Sequence, residues 1–181
     1  MENSIMLYHG TIYEFDKIDV TKGKPFKDFG IGFYTSQDEG HAVRLALRNK
    51  HIEERRLSKY GKPRPVTPWL YTYEFDLREM DRLKVKDFIT ADREWVEFIV
   101  KNRLSSRHEH DYDIIMGPTA NDNTNATIDL FIIGTYGDPK SDFAINTFLK
   151  LILPEALPKQ MYFGSDVAAS LLKQKGRRKV W

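Results

Sequence analysis

Ile5-Met6-Leu7-Tyr8-His9-Gly10-Thr11, read together with Phe29-Gly30-Ile31-Gly32-Phe33-Tyr34-Thr35-Ser36, decides the reading of this chain. The first stretch is short and apolar and stops at a glycine, which is how a buried strand reads. The second is a strand with two interior glycines, and glycine inside a strand marks a bulge or the close approach of a ligand or another backbone. Ser36-Gln37-Asp38-Glu39 follows as a capping box, with Ser36 as the predicted N-cap of a helix. Neither stretch is specific alone; their order, spacing and strand settings together are.

Working outward, Val43, Ala46 and Leu47 give that first helix an apolar stripe, and the charged run 51–56 continues it. Between the two stretches, Phe15 and Ile18 form an apolar pair, and residues 21–28 form a Gly- and Pro-containing loop carrying Lys22, Lys24 and Lys27. Trp69-Leu70-Tyr71-Thr72-Tyr73-Glu74-Phe75-Asp76 alternates by the period of two that a half-buried strand requires. Residues 82–85 read as a weak partner for it. Residues 90–103 place Trp95, Phe98, Ile99 and Asn102 on one helical face, with Arg93, Glu94, Glu97 and Lys101 on another, which favours a helix, while the run 96–100 also reads as a strand. Residues 112–118 read as a buried strand stopped by Gly117-Pro118, residues 121–125 as turn chemistry, and 128–133 as apolar without a clear period. Ser141 or Asp142 starts a helix that ends at Pro154. Gln160 to Gly164 reads as a last short strand, 168–173 as a helical turn or two, and 175–181 as a basic tail. Strands and helices are interspersed without a regular βαβ rhythm, so the fold class is α+β, with residues 1–181 as a single domain.

Composition narrows the function classes. The chain has 181 residues and no cysteine, which removes disulfide frameworks and thiolate metal sites. Its formal charge of +2 argues neither for nor against nucleic acid as a partner. No apolar run approaches the roughly 18 residues of a membrane span, and the N-terminus lacks a basic region leading into an apolar one. Cytoplasmic localisation and no membrane partner are therefore expected. The five histidines show no metal-ligand spacing; His108-Glu109-His110-Asp111 reads as a surface loop, and no metal is expected.

The chemistry lies in His9 and Tyr34. An imidazole at the end of a buried strand, followed by Gly10 and Thr11, can bond a ribose hydroxyl, while the bare backbone offers N–H and C=O groups to a carboxamide. An aromatic on the neighbouring strand offers a planar group a face to stack on. Those are the requirements of the nicotinamide riboside half of NAD.

Tyr8-His9-Gly10-Thr11 followed by Gly32-Phe33-Tyr34 resembles the first two signature motifs of ADP-ribosyltransferases of the diphtheria-toxin and poly(ADP-ribose)-polymerase type. Residues 28–36, 112–123 and 160–168 also resemble a bacterial family of uncharacterised domains in that superfamily, DUF3990. The resemblance implies a split, strongly bent β-sandwich with flanking helices and NAD, as co-substrate, in the cleft. It implies that His9 holds a ribose, Gly10 the nicotinamide amide, and Tyr34 the nicotinamide ring, with Tyr8, Thr11, Gly32 and Phe33 completing the cofactor-binding motifs. Two positions compete for the third catalytic residue. Glu97 supplies a carboxylate within Val96-Glu97-Phe98-Ile99, but on the charged face of a helical pattern. Gln160 has the expected late position and can bond a hydroxyl, but it cannot act as a general base. The implied activity is mono-ADP-ribosyl transfer to an unknown macromolecular acceptor, protein or nucleic acid, in a toxin or effector setting with an antitoxin or immunity partner. An NAD glycohydrolase or a non-catalytic NAD-binding module is the alternative. Lys22, Lys24 or Lys27 is the expected counter-charge for the pyrophosphate.

Overall fold

The computed structural model describes residues 3–119, 122–153 and 157–181. It is a mixed α+β structure with two sheets. The first is ordered β1-β3-β7, from β1 (Ser4–Thr11), β3 (Trp69–Asp76) and β7 (Lys173–Lys179). The second is ordered β2-β6-β5-β4, from β2 (Phe33–Thr35), β6 (Lys159–Phe163), β5 (Ile114–Pro118) and β4 (Val85–Asp87). All pairings are antiparallel except β4 with β5. The helices are α1 (Glu39–Lys59), α2 (Arg93–Arg103), α3 (Asp122–Ile132), α4 (Asp142–Ile152) and α5 (Asp166–Ser170).

Period-two alternation explains how the sheets pack. Leu7, Tyr71, Tyr73 and Phe75 of the first sheet meet Phe33, Ile114, Met161 and Phe163 of the second in one buried core. The intervening residues point the other way. On the second sheet Ile115 and Tyr162 join Trp95, Ile99, Phe131 and Phe148 of α2, α3 and α4. On the first, Leu70 and Tyr8 pack on Ala42 and Ala46 of α1. Each sheet thus has an inner face toward the other sheet and an outer face under helices, and burial of both faces is the main driving force for this layered arrangement.

Among the described residues the sheets are joined at a single bridge, where Tyr8 N–H donates to the Ser36 carbonyl at 2.8 Å and Ser36 N–H to the Tyr8 carbonyl at 2.9 Å. Beyond it β1 and β2 part. Gly10 is needed just there: a Cβ would come within 1.8 Å of the Ala42 carbonyl, because α1 crosses directly over β1.

Several expectations need correction. The strand expected over 29–35 is only β2; residues 29–32 form a loop pinned by side chains, with Gly30 at φ +80°. The N-cap of α1 is Asp38, which accepts from His41 N–H, and not Ser36, whose hydroxyl instead accepts from Asp38 N–H. The partner expected for β3 at 82–85 begins β4 of the other sheet, where it runs parallel to β5. The basic tail is mostly β7, an edge strand pairing with β3. The turn read at 121–125 lies in part outside the described residues, and from Asp122 the backbone is helical; the unresolved run 128–133 is also largely α3. The stop at Pro154 lies outside the described residues, but α4 already ends on Leu153 at φ 50°. Strands β1, β3 and β6 and helices α1, α2 and α4 stand close to where the sequence puts them.

Candidate functional site

His9 lies on β1 just past the bridge, with its side chain on the inner face. Its ring stacks on Phe33 (centroids 4.3 Å apart, planes at 30°) and stands 6.0 Å from Phe15. Its Nδ1 lies 2.7 Å from the Tyr34 carbonyl. A carbonyl can only accept, so Nδ1 carries the proton and Nε2 presents a lone pair. Among the described residues no group bonds that Nε2, and the side chain keeps part of its surface exposed. Desolvation among aromatic neighbours lowers the His9 pKa to about 4, with the Tyr34 carbonyl pulling weakly the other way. The imidazole is therefore neutral at pH 7, and it clips β1 to β2 where the backbone ladder has opened.

Tyr34 does not face His9. Neighbouring residues on a strand point to opposite faces, and Phe33 is the one that turns inward to His9. The Tyr34 ring packs outward, edge-on to Tyr162 at 5.1 Å and near Phe29 at 6.5 Å. Its hydroxyl donates to the Gly30 carbonyl at 2.6 Å and accepts from Phe29 N–H at 3.2 Å. Burial, then the nearby Asp28 carboxylate, raises its pKa well above the ordinary value. The slot expected between the two rings is thus closed: β2 itself separates them, and core side chains fill both sides. What links the two residues is the hydrogen bond from imidazole to backbone.

Gln160 shares the outer face with Tyr34. β2 and β6 pair through Tyr34↔Tyr162 and Thr35↔Met161, which brings Gln160 beside Ser36, and β5 places Gly117 on its other side. The Ser36 hydroxyl is 3.4 Å from the Lys159 carbonyl. The Gln160 amide nitrogen is buried and without a hydrogen-bond partner among the described residues. Two interstrand spacings, about 10 Å, separate Gln160 from Tyr8 across Ser36. Glu97 does not join this group. The buried stripe Trp95, Val96, Ile99 and Asn102 turns it outward on α2, where Arg93 pairs with it at 3.2 Å. There it lines a cavity of about 410 Å³ with Lys101 and Asp138, remote from the bridge.

Tyr8 and Gly10 contact α1, Thr11 is buried at the end of β1, and Gly32 lies against the Tyr162 ring and the Phe163 carbonyl. Of the lysines expected at a pyrophosphate, Lys22 lies 3.8 Å from Asp19.

Sequence reasoning missed the fastening of the 26–32 loop. Asp28 is buried and accepts from Arg103 Nε at 2.7 Å, and Arg103 also donates to Asn125 Oδ1 at 2.5 Å. His110 Nδ1 accepts from Tyr112 N–H, so its Nε2–H donates to the Phe29 carbonyl, 2.9 Å away. An acidic residue immediately before a glycine-rich strand was the only available signal. No group of metal-ligating side chains is found among the described residues, and no described helix is long and apolar enough to cross a membrane.

The family described as "Protein of unknown function (DUF3990)" matches residues 5–174. No curated protein and no solved structure matches the chain.

Proposed function

The chain belongs to the DUF3990 family, and from that premise we propose that it is an enzyme that uses NAD as substrate, transferring ADP-ribose to an acceptor at the seam between its two sheets. The observation that carries this reading is the pair of unpaired polar ends flanking the seam: the His9 Nε2 lone pair on β1 and the buried amide nitrogen of Gln160 on β6. The two lie on opposite faces of their sheets, so they serve separate groups of the substrate: Nε2 accepts from a ribose hydroxyl, and the amide donates to an oxygen elsewhere on the molecule. They come from the two strands on which the resemblance to ADP-ribosyltransferases predicts a ribose-binding residue and the third motif. Two sheets joined at one bridge and parting beyond it agree with the split sandwich that the same resemblance implies.

In this reading Tyr34 fixes the site and does not stack on the substrate. Its carbonyl sets the His9 tautomer, and its hydroxyl holds the loop. The reaction is dissociative: the C1′–N bond breaks, nicotinamide leaves with the electron pair, and the acceptor nucleophile bonds C1′ and gives up its proton. Rate comes from positioning and from neutral hydrogen bonds around a cationic ribose. Without a carboxylate at position 160, transfer of a single ADP-ribose or hydrolysis fits better than polymer growth. The neutral Gln160, with Glu97 on an exposed helix face, also favours a second reading, a module that binds NAD without turnover.

Nicotinamide release from NAD, followed by chromatography with and without cell extract, tests both. Release that falls at least tenfold in His9→Ala and in Gln160→Ala supports the enzyme. A melting temperature raised by NAD with no release supports the binding module. Neither effect at millimolar NAD overturns both readings.

A further inference from the structure

The face formed by the 22–28 loop and the second half of α1 has a distinct makeup. Three aromatic rings stand out from it: Tyr13, Phe26 and Tyr60, at 60%, 54% and 66% exposure. Between residues 44 and 64 there are eight Lys or Arg against two Glu, and the loop adds Lys22, Lys24 and Lys27. One of the two glutamates, Glu53, is taken up by Arg56 at 2.7 and 2.8 Å; the other, Glu54, accepts from Val66 N–H. The segments share one neighbourhood. The Glu53 carboxylate is held below its usual range first by Arg56 and also by Arg64 and Lys24, while Arg56 in turn senses Tyr60 and Tyr13. Arg56, Leu57, Tyr60 and Lys62 line an open cavity of about 480 Å³.

The loop tip is held rather than loose. Gly23 packs so tightly on Gly32 that a Cβ would lie 2.4 Å from the Gly32 nitrogen, which closes the loop at its base. Asp28 is tied to Arg103 and Phe29 is fully buried. Between these anchors Phe26 sits at φ 61°, a left-handed backbone unusual for an aromatic residue, with its ring in solvent between Lys24 and Lys27. Backbone strain that exposes a large apolar ring has no packing reward, and such outliers collect at ligand-binding sites.

We infer that this face binds single-stranded nucleic acid, with unpaired bases stacking on Phe26 and Tyr60 and the phosphates running along Lys24, Lys27, Lys62 and Arg64. Aromatic rings interleaved with cations suit a single strand, because every base has a face to stack and the charges follow the backbone. A duplex keeps its base faces covered. The inference stands on this surface alone; where the NAD chemistry proposed above also holds, it makes nucleic acid the acceptor.

Fluorescence anisotropy with labelled dT20 and rU20, titrated with the whole chain at several salt concentrations, tests it. The expected result is saturable binding whose affinity falls with salt at a log–log slope near −3, from four phosphate contacts at about 0.7 each. Phe26→Ala and Tyr60→Ala each weaken binding about tenfold with the slope unchanged, Lys24→Ala reduces the slope by about 0.7, and a 20-base-pair duplex binds at least tenfold more weakly. Unequal affinity for rU20 and dT20 tells RNA from DNA. Absent binding, equal binding of duplex or heparin, or full affinity in both aromatic variants with unchanged melting temperatures overturns it. Nicotinamide release is read separately in the same variants, so loss of the NAD reading leaves this result standing, and the reverse.

Discussion

The neutral imidazole of His9 has a direct thermodynamic consequence. Its folded pKa, about 4, lies below the ordinary 6.5 because burial disfavours the cation. Between pH 6.5 and 4 the unfolded chain therefore binds the proton that the folded chain refuses. The stabilisation is complete above pH 6.5 and is lost as pH falls toward 4, by about 3 kcal/mol in all. Urea unfolding at pH 7.5, 5.5 and 4.5 should show this decline, and His9→Gln should remove that part of it. Tyr34→Phe separates the two roles argued for that residue. If the hydroxyl pins the loop, the variant keeps the ring but leaves the Gly30 carbonyl and Phe29 N–H unpaired, costing about 1–3 kcal/mol. Thermal melting reads that loss; unchanged stability would return Tyr34 to a stacking role. The identities of both residues were legible in the sequence, but the direction of the tyrosine ring was not. Alternation is readable once a strand's register is known, and here the strand is three residues long, with Phe33 and Tyr34 equally suited to either face.

At the scale of elements, the 26–32 loop depends on α2. The ion pair between Asp28 and Arg103 is largely buried, with side chains 7% and 13% exposed. Removing one partner strands the other charge in a poor solvent, so Asp28→Ala should cost about 3–5 kcal/mol. Replacing both, as Asp28→Leu with Arg103→Met, should cost less than half of that, because no lone charge remains. Chemical denaturation of Asp28→Leu, Arg103→Met and the double variant closes the cycle. No local pattern could have paired these residues, which lie 75 positions apart. By contrast, the helical reading of 90–103 succeeded because its buried stripe repeats at helical spacing within one segment, and that same stripe shows why Glu97 faces away. β7 was misread for a physical reason as well. Five of its seven residues are Lys or Arg, so it has no alternating apolar face, and only its pairing with β3 makes it a strand.

For the whole molecule, β7 completes the first sheet. Deleting residues 173–181 would uncover the outer edge of β3, the best strand in the chain. The expected outcome is loss of the cooperative melt and association into larger species, measured by circular dichroism and size-exclusion chromatography. A monomer that still melts cooperatively would mean that β7 is dispensable. Much of the layered plan was legible, because β1, β3 and β6 carry their own apolar signals. The division into two sheets was not, since it rests on a single bridge between Tyr8 and Ser36 and on partners distant in the chain.

The order in which β3 meets its two neighbours bears on how the protein is made. β1 emerges from the ribosome before β3, but β7 follows nearly a hundred residues after β3 ends. For most of translation the growing polypeptide therefore carries an apolar hairpin-like pair with one side open, a species that chaperones recognise and that slow codons would prolong. Lysine and arginine along β7 let the late-arriving segment stay hydrated until its place is ready, and they keep the finished edge from recruiting another copy.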